Sequence, residues 1–203
     1  MAATHVHGVF VNCPFDDGYR PLFDAIVYAI HDCGYAVRSA LEVKDSADLR
    51  LSKIQRIIGE CQLGIHDISR TELDATTGLP RFNMPLELGL FLGARHFGNV
   101  AQKRKSCLIL DRDLRRYEKF ISDIKGMDIE AHADDSAQAI HAVRDWLDAR
   151  SVGILPDGTE IARRFGIFVA ELPGICQAAK LRVDRLTFKN YVQLVQRWLK
   201  LNP

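Results

Sequence analysis

Short apolar runs alternate with longer amphipathic stretches through the first three-quarters of the chain. Val9-Phe10-Val11-Asn12-Cys13 has the length of a strand and is stopped by Pro14. Tyr19 to Cys33 carries apolar residues at 22, 23, 26, 27 and 30, a helical spacing, with Pro21 suited to the first turn and Gly34 to the far end. Tyr35-Ala36-Val37-Arg38 reads as a second strand. Asp48 then caps a helix with Leu49, Leu51, Ile54, Ile57 and Ile58 on its apolar side. Leu63-Gly64-Ile65-His66 makes a third strand, and a polar loop from Asp67 to Arg81 leads to a helix from about Met84 to Phe97. Ser106 to Leu110 is the next strand, ended by Asp111-Arg112-Asp113. Met127-Asp128-Ile129 predicts a short fifth strand. Asp135 to Leu147 follows as a helix with Ile140, Val143, Trp146 and Leu147 on one side.

Strands that are short continuous apolar runs, each followed by a helix, predict an α/β fold: an open parallel sheet with helices on both faces, Rossmann- or flavodoxin-like. Right-handed crossovers put the carboxyl ends of the strands on one rim, where such sheets bind ligands. Cys13-Pro14-Phe15-Asp16, Arg38-Ser39, Asp67 and Asp111 thereby become pocket candidates from topology alone. Arg150 to Asp157, with Gly153, Pro156 and Gly158 as breakers, reads as a linker closing a domain of residues 1–150. Beyond it, Thr159 can cap a helix bearing Ile161, Phe165, Phe168 and Leu172. Pro173-Gly174 interrupts that helix, and Thr187 opens a last amphipathic helix through Leu199. This C-terminal helical extension, 158–203, is too short for a core of its own, so its apolar faces must cover the sheet domain or a neighbour. A homodimer or higher homo-oligomer that uses or is braced by Thr159–Leu199 is the expectation.

Composition narrows the partners. Of 203 residues, 47% are hydrophobic and 26% charged, which excludes a disordered chain. The 27 basic and 26 acidic residues leave no global excess to favour a nucleic-acid partner. The balance is uneven, since residues 159–203 carry 8 basic side chains against 3 acidic ones. That suits either an anionic partner or a solvated face. Five cysteines, an odd number with no C-x-x-C, form no legible disulfide framework or zinc knuckle. The start Met1–His7 lacks the basic region and apolar stretch of a signal peptide, and no apolar run reaches 18 residues. A cytoplasmic protein without a membrane span is expected. No H-E-x-x-H, G-x-G-x-x-G, Walker A or G-x-S-x-G pattern is present, so neither metal nor cofactor is expected.

The chemistry concentrates on two acids. In Met84-Pro85-Leu86-Glu87-Leu88-Gly89-Leu90-Phe91-Leu92-Gly93-Ala94, ten of eleven residues are nonpolar and the eleventh is a carboxylate. A helix so apolar on every side belongs between other elements, which puts Glu87 in or beside an enclosed space. A carboxylate there serves a reaction, or simply complements the dipole of the first helical turn. Gly89 and Gly93 suggest close approach of a backbone or a ligand. Asp67, at a strand end, either caps the next element or binds a hydroxyl. His66, inside its strand, reads as a packed imidazole.

The strings Val11-Asn12-Cys13-Pro14-Phe15, Gly64-Ile65-His66-Asp67 and Glu87-Leu88-Gly89, in this order, resemble the nucleoside 2-deoxyribosyltransferase-like family, related in fold to TIR-like domains. Cys13-Pro14-Phe15-Asp16-Asp17 and Leu79 to Gly89 resemble a bacterial branch of that superfamily. The resemblance covers roughly residues 8–147. It implies cleavage of an N-glycosidic bond, by hydrolysis or base transfer, with Glu87 as nucleophile and Asp67 as its acidic partner. Pro14-Phe15 would border the base. Arg81, six residues before Glu87, stands where the deoxynucleoside transferases carry an Asp, and Cys13 replaces a glycine. With Arg38 and Arg112, Arg81 suits a phosphorylated substrate, a nucleotide or NAD. Cys13, Pro14, Phe15, Arg38, Arg81, Asn83, Asp111 and Arg112 form the expected substrate-binding set. A role in bacterial antiviral defence is implied by the same resemblance. The alternatives are a nucleotide-sensing module without turnover and an oligomerising adaptor.

Overall fold

Five strands pair in parallel in the order β2-β1-β3-β4-β5: β1 Gly8–Asn12, β2 Ala36–Arg38, β3 Leu63–Asp67, β4 Ser106–Asp111 and β5 Ile129–Ala131. The helices are α1 Arg20–Asp32, α2 Arg50–Glu60, α3 Asn83–Phe97, α4 Ser136–Asp148, α5 Gly158–Ala178 and α6 Phe188–Leu201. This computed structural model describes residues 8–42, 45–73 and 77–203. The heptapeptide Met1–His7, residues 43–44 after β2 and three residues of the polar loop before α3 lie outside the described residues.

Strand alternation sorts the core into two faces. Val9, Val11, Ile65, Leu108 and Leu110 join the side chains of α1 and α4. Phe10 turns the other way, onto Ile54, Ile57 and Ile58 of α2 and Phe91 of α3. Gly64 makes that second face possible. A Cβ there would lie 2.8 Å from the Phe91 ring and 2.9 Å from His66 Nε2, so any larger residue would push α3 off the sheet.

The C-terminal helices complete the first face. Eight residues of α1 between Leu22 and Ile30 are buried, far more than one stripe of a surface helix. The sheet covers one side of α1, and α5 and α6 cover the other. Tyr28 packs on Phe168 and Trp198, with ring centres 5.5 and 6.0 Å apart. The Tyr191 hydroxyl donates to the Asp24 carbonyl at 3.0 Å. Phe168, Leu172, Tyr191, Val195 and Trp198 therefore belong to the same core as Val9 and Ile65.

Several boundaries differ from the sequence expectation. The fifth strand lies two residues later, because Gly126 at φ +94° turns the chain and Ile129 is the residue that pairs with Ile109. Pro173-Gly174 does not interrupt α5, which runs on to Ala178. The proline leaves the carbonyl of Val169 without its helical donor. Val169 is on the solvent side, and buried Phe168, Leu172 and Cys176 hold the helix on either side. Asp157, rather than Thr159, caps α5 by accepting from the Thr159 N–H at 2.8 Å. Leu49 occupies the N-cap of α2 with no side-chain cap, while Asp48 pairs with Arg56 at 3.0 Å.

Candidate functional site at the strand carboxyl ends

The sheet order reverses between β1 and β3, so the chain leaves their carboxyl ends in opposite directions, the position at which open sheets of this kind take ligands. Asn12 closes β1 and joins it to α3: its amide donates to the Met84 carbonyl at 2.9 Å and meets His66 Nδ1 at 3.0 Å. These bonds seat the first turn of α3, and with it Glu87, at the end of β1. Glu87 is 5% exposed and makes no hydrogen bond or ion pair with any described residue. Burial pushes its acid up to about 7, opposed by the positive charge of Arg50 at the start of α2. The Cys13 thiol, also buried, is pushed up by burial first and then by the negative charges of Asp67 and Glu87.

Asp67 is differently held. It is fully buried and every oxygen is engaged. Oδ1 accepts from the Ser69 N–H at 2.8 Å and Oδ2 from the Tyr19 hydroxyl at 2.5 Å. His132, just past β5, brings Nε2 within 3.0 Å of the same Oδ2. Its Nδ1 accepts from the Asp134 N–H at 3.0 Å, which assigns the ring proton to Nε2. Asp67 thus ties the turn before α1 to the end of β3, with His132 from beyond β5 in close reach of the same oxygen. The side chain caps no described helix or strand: it closes a turn onto Ser69, and the hydroxyl it accepts from is the protein's own.

The remaining expected residues divide. Asp111 ends β4, buried, and Arg116 grips it at 2.7 Å while bonding the Ile68 and Ser69 carbonyls at 3.0 and 2.8 Å. Burial pushes the Asp111 acid up and Arg116 opposes it. Arg112 is held by Glu72 and Asp113 at 3.0 and 3.1 Å. Arg81 crosses to Asp16 at 3.3 Å, so these two join the loops that follow β3 and β1. Asn83 is exposed at the first position of α3. Pro14 is buried beside a recess of about 40 Å³ that also touches Phe15, Phe23 and Leu41, a space for water rather than a base. Phe15 packs edge-on against Phe23 at 5.6 Å.

Arg38 is not part of the site. Its guanidinium bonds Glu42 and Glu60 at 2.8 Å, and its methylenes lie over Gly8, the first residue of β1, at the opposite end of the sheet from Glu87. Gly89 and Gly93 do not serve close approach within the chain, because a Cβ at either meets nothing within 4 Å.

Sequence patterns missed Arg50, Tyr19, His132 and Arg116, whose roles depend on loops that no periodicity describes. Arg116, five residues after the strand-end Asp111, had the one available signal: a cation close behind a buried acid. His66 is the packed imidazole expected. Burial and then Lys105 hold its acidity down to about 3, so it is neutral.

A larger groove of about 620 Å³ lies beside β5, lined by Cys107, Glu130, His141, Trp146 and Arg150, away from Glu87. Among the described residues no cluster of His, Cys, Asp and Glu could hold a metal, and no helix is long and apolar enough to cross a membrane. No family model and no curated protein matches the sequence.

Proposed function

We propose that the protein cleaves the N-glycosidic bond of a nucleotide or of NAD, with Glu87 as the attacking carboxylate. The observation that carries this reading is Glu87 itself, a buried acid that no hydrogen bond or ion pair joins to another described residue, at the point where the sheet order reverses. Among the described residues only the charge of Arg50 opposes the cost of burying it, which suits a group reserved for a ligand. The resemblance of the three sequence strings supports the same choice.

In this reaction the ionised Glu87 attacks the anomeric carbon as oxocarbenium character builds on the sugar. The C–N bond breaks with its electron pair going to the base; a purine or pyrimidine then takes a proton from water, whereas the nicotinamide of NAD leaves neutral and takes none. A second water hydrolyses the glycosyl ester and restores the carboxylate; a competing base at that step would make the reaction a transfer. Asp67, sealed and fully bonded, holds the site in shape and does not donate the proton. Arg50 and Arg81 are the cations on the rim suited to a phosphate, Arg81 by exchanging Asp16 for it. The free cysteines, including Cys13 at the site, fit a reducing cytoplasm.

A second reading, nucleotide binding without turnover, is favoured by one observation: Asp67, the other acid, is bonded within the fold and not free for chemistry. Incubation with nucleotides, deoxynucleotides and NAD separates the two. Released base that disappears in Glu87→Gln supports cleavage. A bound, intact nucleotide supports sensing, and equal release by the variant refutes the role of Glu87.

A further inference from the structure

Helix α3 is apolar on every side, yet the fold covers only one. Met84, Glu87, Leu88 and Phe91 face the sheet and are buried. The opposite stripe, Phe82, Leu86, Gly89, Gly93 and Phe97, repeats every three or four residues and contains no charge, and Leu90 lies at its edge, half-buried against the α2 cluster. Phe82, Leu86 and Phe97 are 61%, 57% and 85% exposed. α5 and α6 cannot cover this stripe, because their apolar faces are already committed to α1 on the other side of the sheet.

We propose that this stripe is the interface of a homodimer, in which α3 packs antiparallel against α3 of a second copy. The order of side chains carries the choice of occupant. A two-fold axis between positions 89 and 90 sets Phe82 opposite Phe97, Leu86 opposite Gly93, and Gly89 opposite Leu90. Each bulky residue of the centre meets a glycine of the other copy, and the phenylalanines meet at both ends. A two-fold contact requires this self-matching, in which residue i touches j while j touches i. The glycines gain a reason by it. Each costs about 1 kcal/mol relative to alanine inside a helix, and neither has φ in the left-handed region nor a neighbour within the protomer. Open space over both lets a leucine from a second helix sit against the backbone.

The area is sufficient. Two phenylalanines exposed to this degree offer on the order of 300 Å². Leu79, Leu86 and Val100, each more than half exposed, extend the patch to roughly 600 Å². That sum is at the upper end of what a monomer leaves exposed in one patch and approaches the ~800 Å² that each partner gives to a standard interface. The uncharged centre also matches interface cores, which are depleted of charge. This pairing is independent of any catalytic role of Glu87.

Gel filtration with light scattering at micromolar concentration is expected to give twice the 22.9 kDa protomer mass. Gly93→Leu fills the hole opposite Leu86, and Leu86→Glu puts a charge into it. Each should raise the dimer dissociation constant by about 100-fold or more without changing the circular dichroism. Gly89→Cys lies beside the axis and should form an intermolecular disulfide on mild oxidation, whereas wild type should not. A wild-type mass of 22.9 kDa up to about 100 μM overturns the proposal and leaves the stripe to another protein. A dimer unmoved by both substitutions, with no cross-link at position 89, also overturns it by placing the contact elsewhere.

Discussion

The Tyr19 hydroxyl donates to Asp67 Oδ2 across 2.5 Å, which fastens the turn before α1 to the carboxyl end of β3. Burial raises the Tyr19 phenol well above its ordinary value, and the charge of Asp67 raises it further, so it stays a donor at any ordinary pH. Tyr19→Phe removes the hydroxyl and keeps the packing. It leaves a buried carboxylate oxygen facing only His132. A stability loss of about 1.5–3 kcal/mol in urea unfolding is expected, as for a lost bond to a charged group. A loss under about 0.5 kcal/mol would mean that His132 alone satisfies Asp67.

Glu87 gives stability an unusual pH dependence. Its acid is near 4.5 when unfolded and is raised to about 7 in the fold. Between those values the folded chain keeps a proton that the unfolded chain has released, so this contribution falls as pH rises from about 4.5 to about 7. The full swing is of order 3 kcal/mol. Asp24, pushed up by burial to about 6, adds a slope of the same sign. His31, held down to about 4 by burial, opposes it below its ordinary value. Glu87→Gln isolates the effect: the variant should gain on wild type through this window and hold a constant advantage above it. Parallel stability curves would show that Glu87 is solvated.

Sheet and helix order were legible because most β-strands are short apolar runs and the helices repeat at 3.6 residues. Glu87 was legible too, as the lone charge in an apolar helix. The apolar pattern did not show that α3 would be covered on one side only, because periodicity records what needs burial and not which molecule supplies it. Arg38 was misplaced for a related reason. A strand-end cation has a long side chain, and here Glu42 and Glu60 draw it back along the sheet, a direction set by the loop after β2 and the end of α2. Charge pairing across loops decided the other differences, with Arg116 gripping Asp111 and Arg81 crossing to Asp16.

Arg50 and Arg81 should separate two effects in the proposed cleavage. If the ionised Glu87 attacks, base release rises with pH through about 7. Arg50 opposes the upward push of burial on Glu87, so Arg50→Ala should move that limb to higher pH. Arg81 pairs with Asp16 instead, and Arg81→Ala should leave the limb in place while raising KM for nucleotides about tenfold more than for nucleosides. A limb that does not move in Arg50→Ala disconnects that cation from Glu87. Equal KM changes for both substrates remove phosphate recognition from Arg81.

The C-terminal helices should prove indispensable to the sheet domain. Ending the chain at Asp157 would strip α5 and α6 from α1 and expose Phe23, Tyr28 and their neighbours, which now pack on Phe188, Phe168 and Trp198. An α1 apolar on two sides has no soluble surface to offer, so the shortened chain should lose its cooperative unfolding transition and its near-ultraviolet circular dichroism. Phe168→Ala is the gentler test. Its side chain is fully buried between Tyr28, Tyr191 and Trp198, and its loss should cost about 3–5 kcal/mol. That is a large part of the ~5–15 kcal/mol of an ordinary domain, yet small enough to leave a folded state to measure. A shortened chain that melts cooperatively at the wild-type temperature would make residues 158–203 a detachable appendage. Retained cooperativity at a much lower temperature would instead limit their part to reinforcement of a core that closes without them.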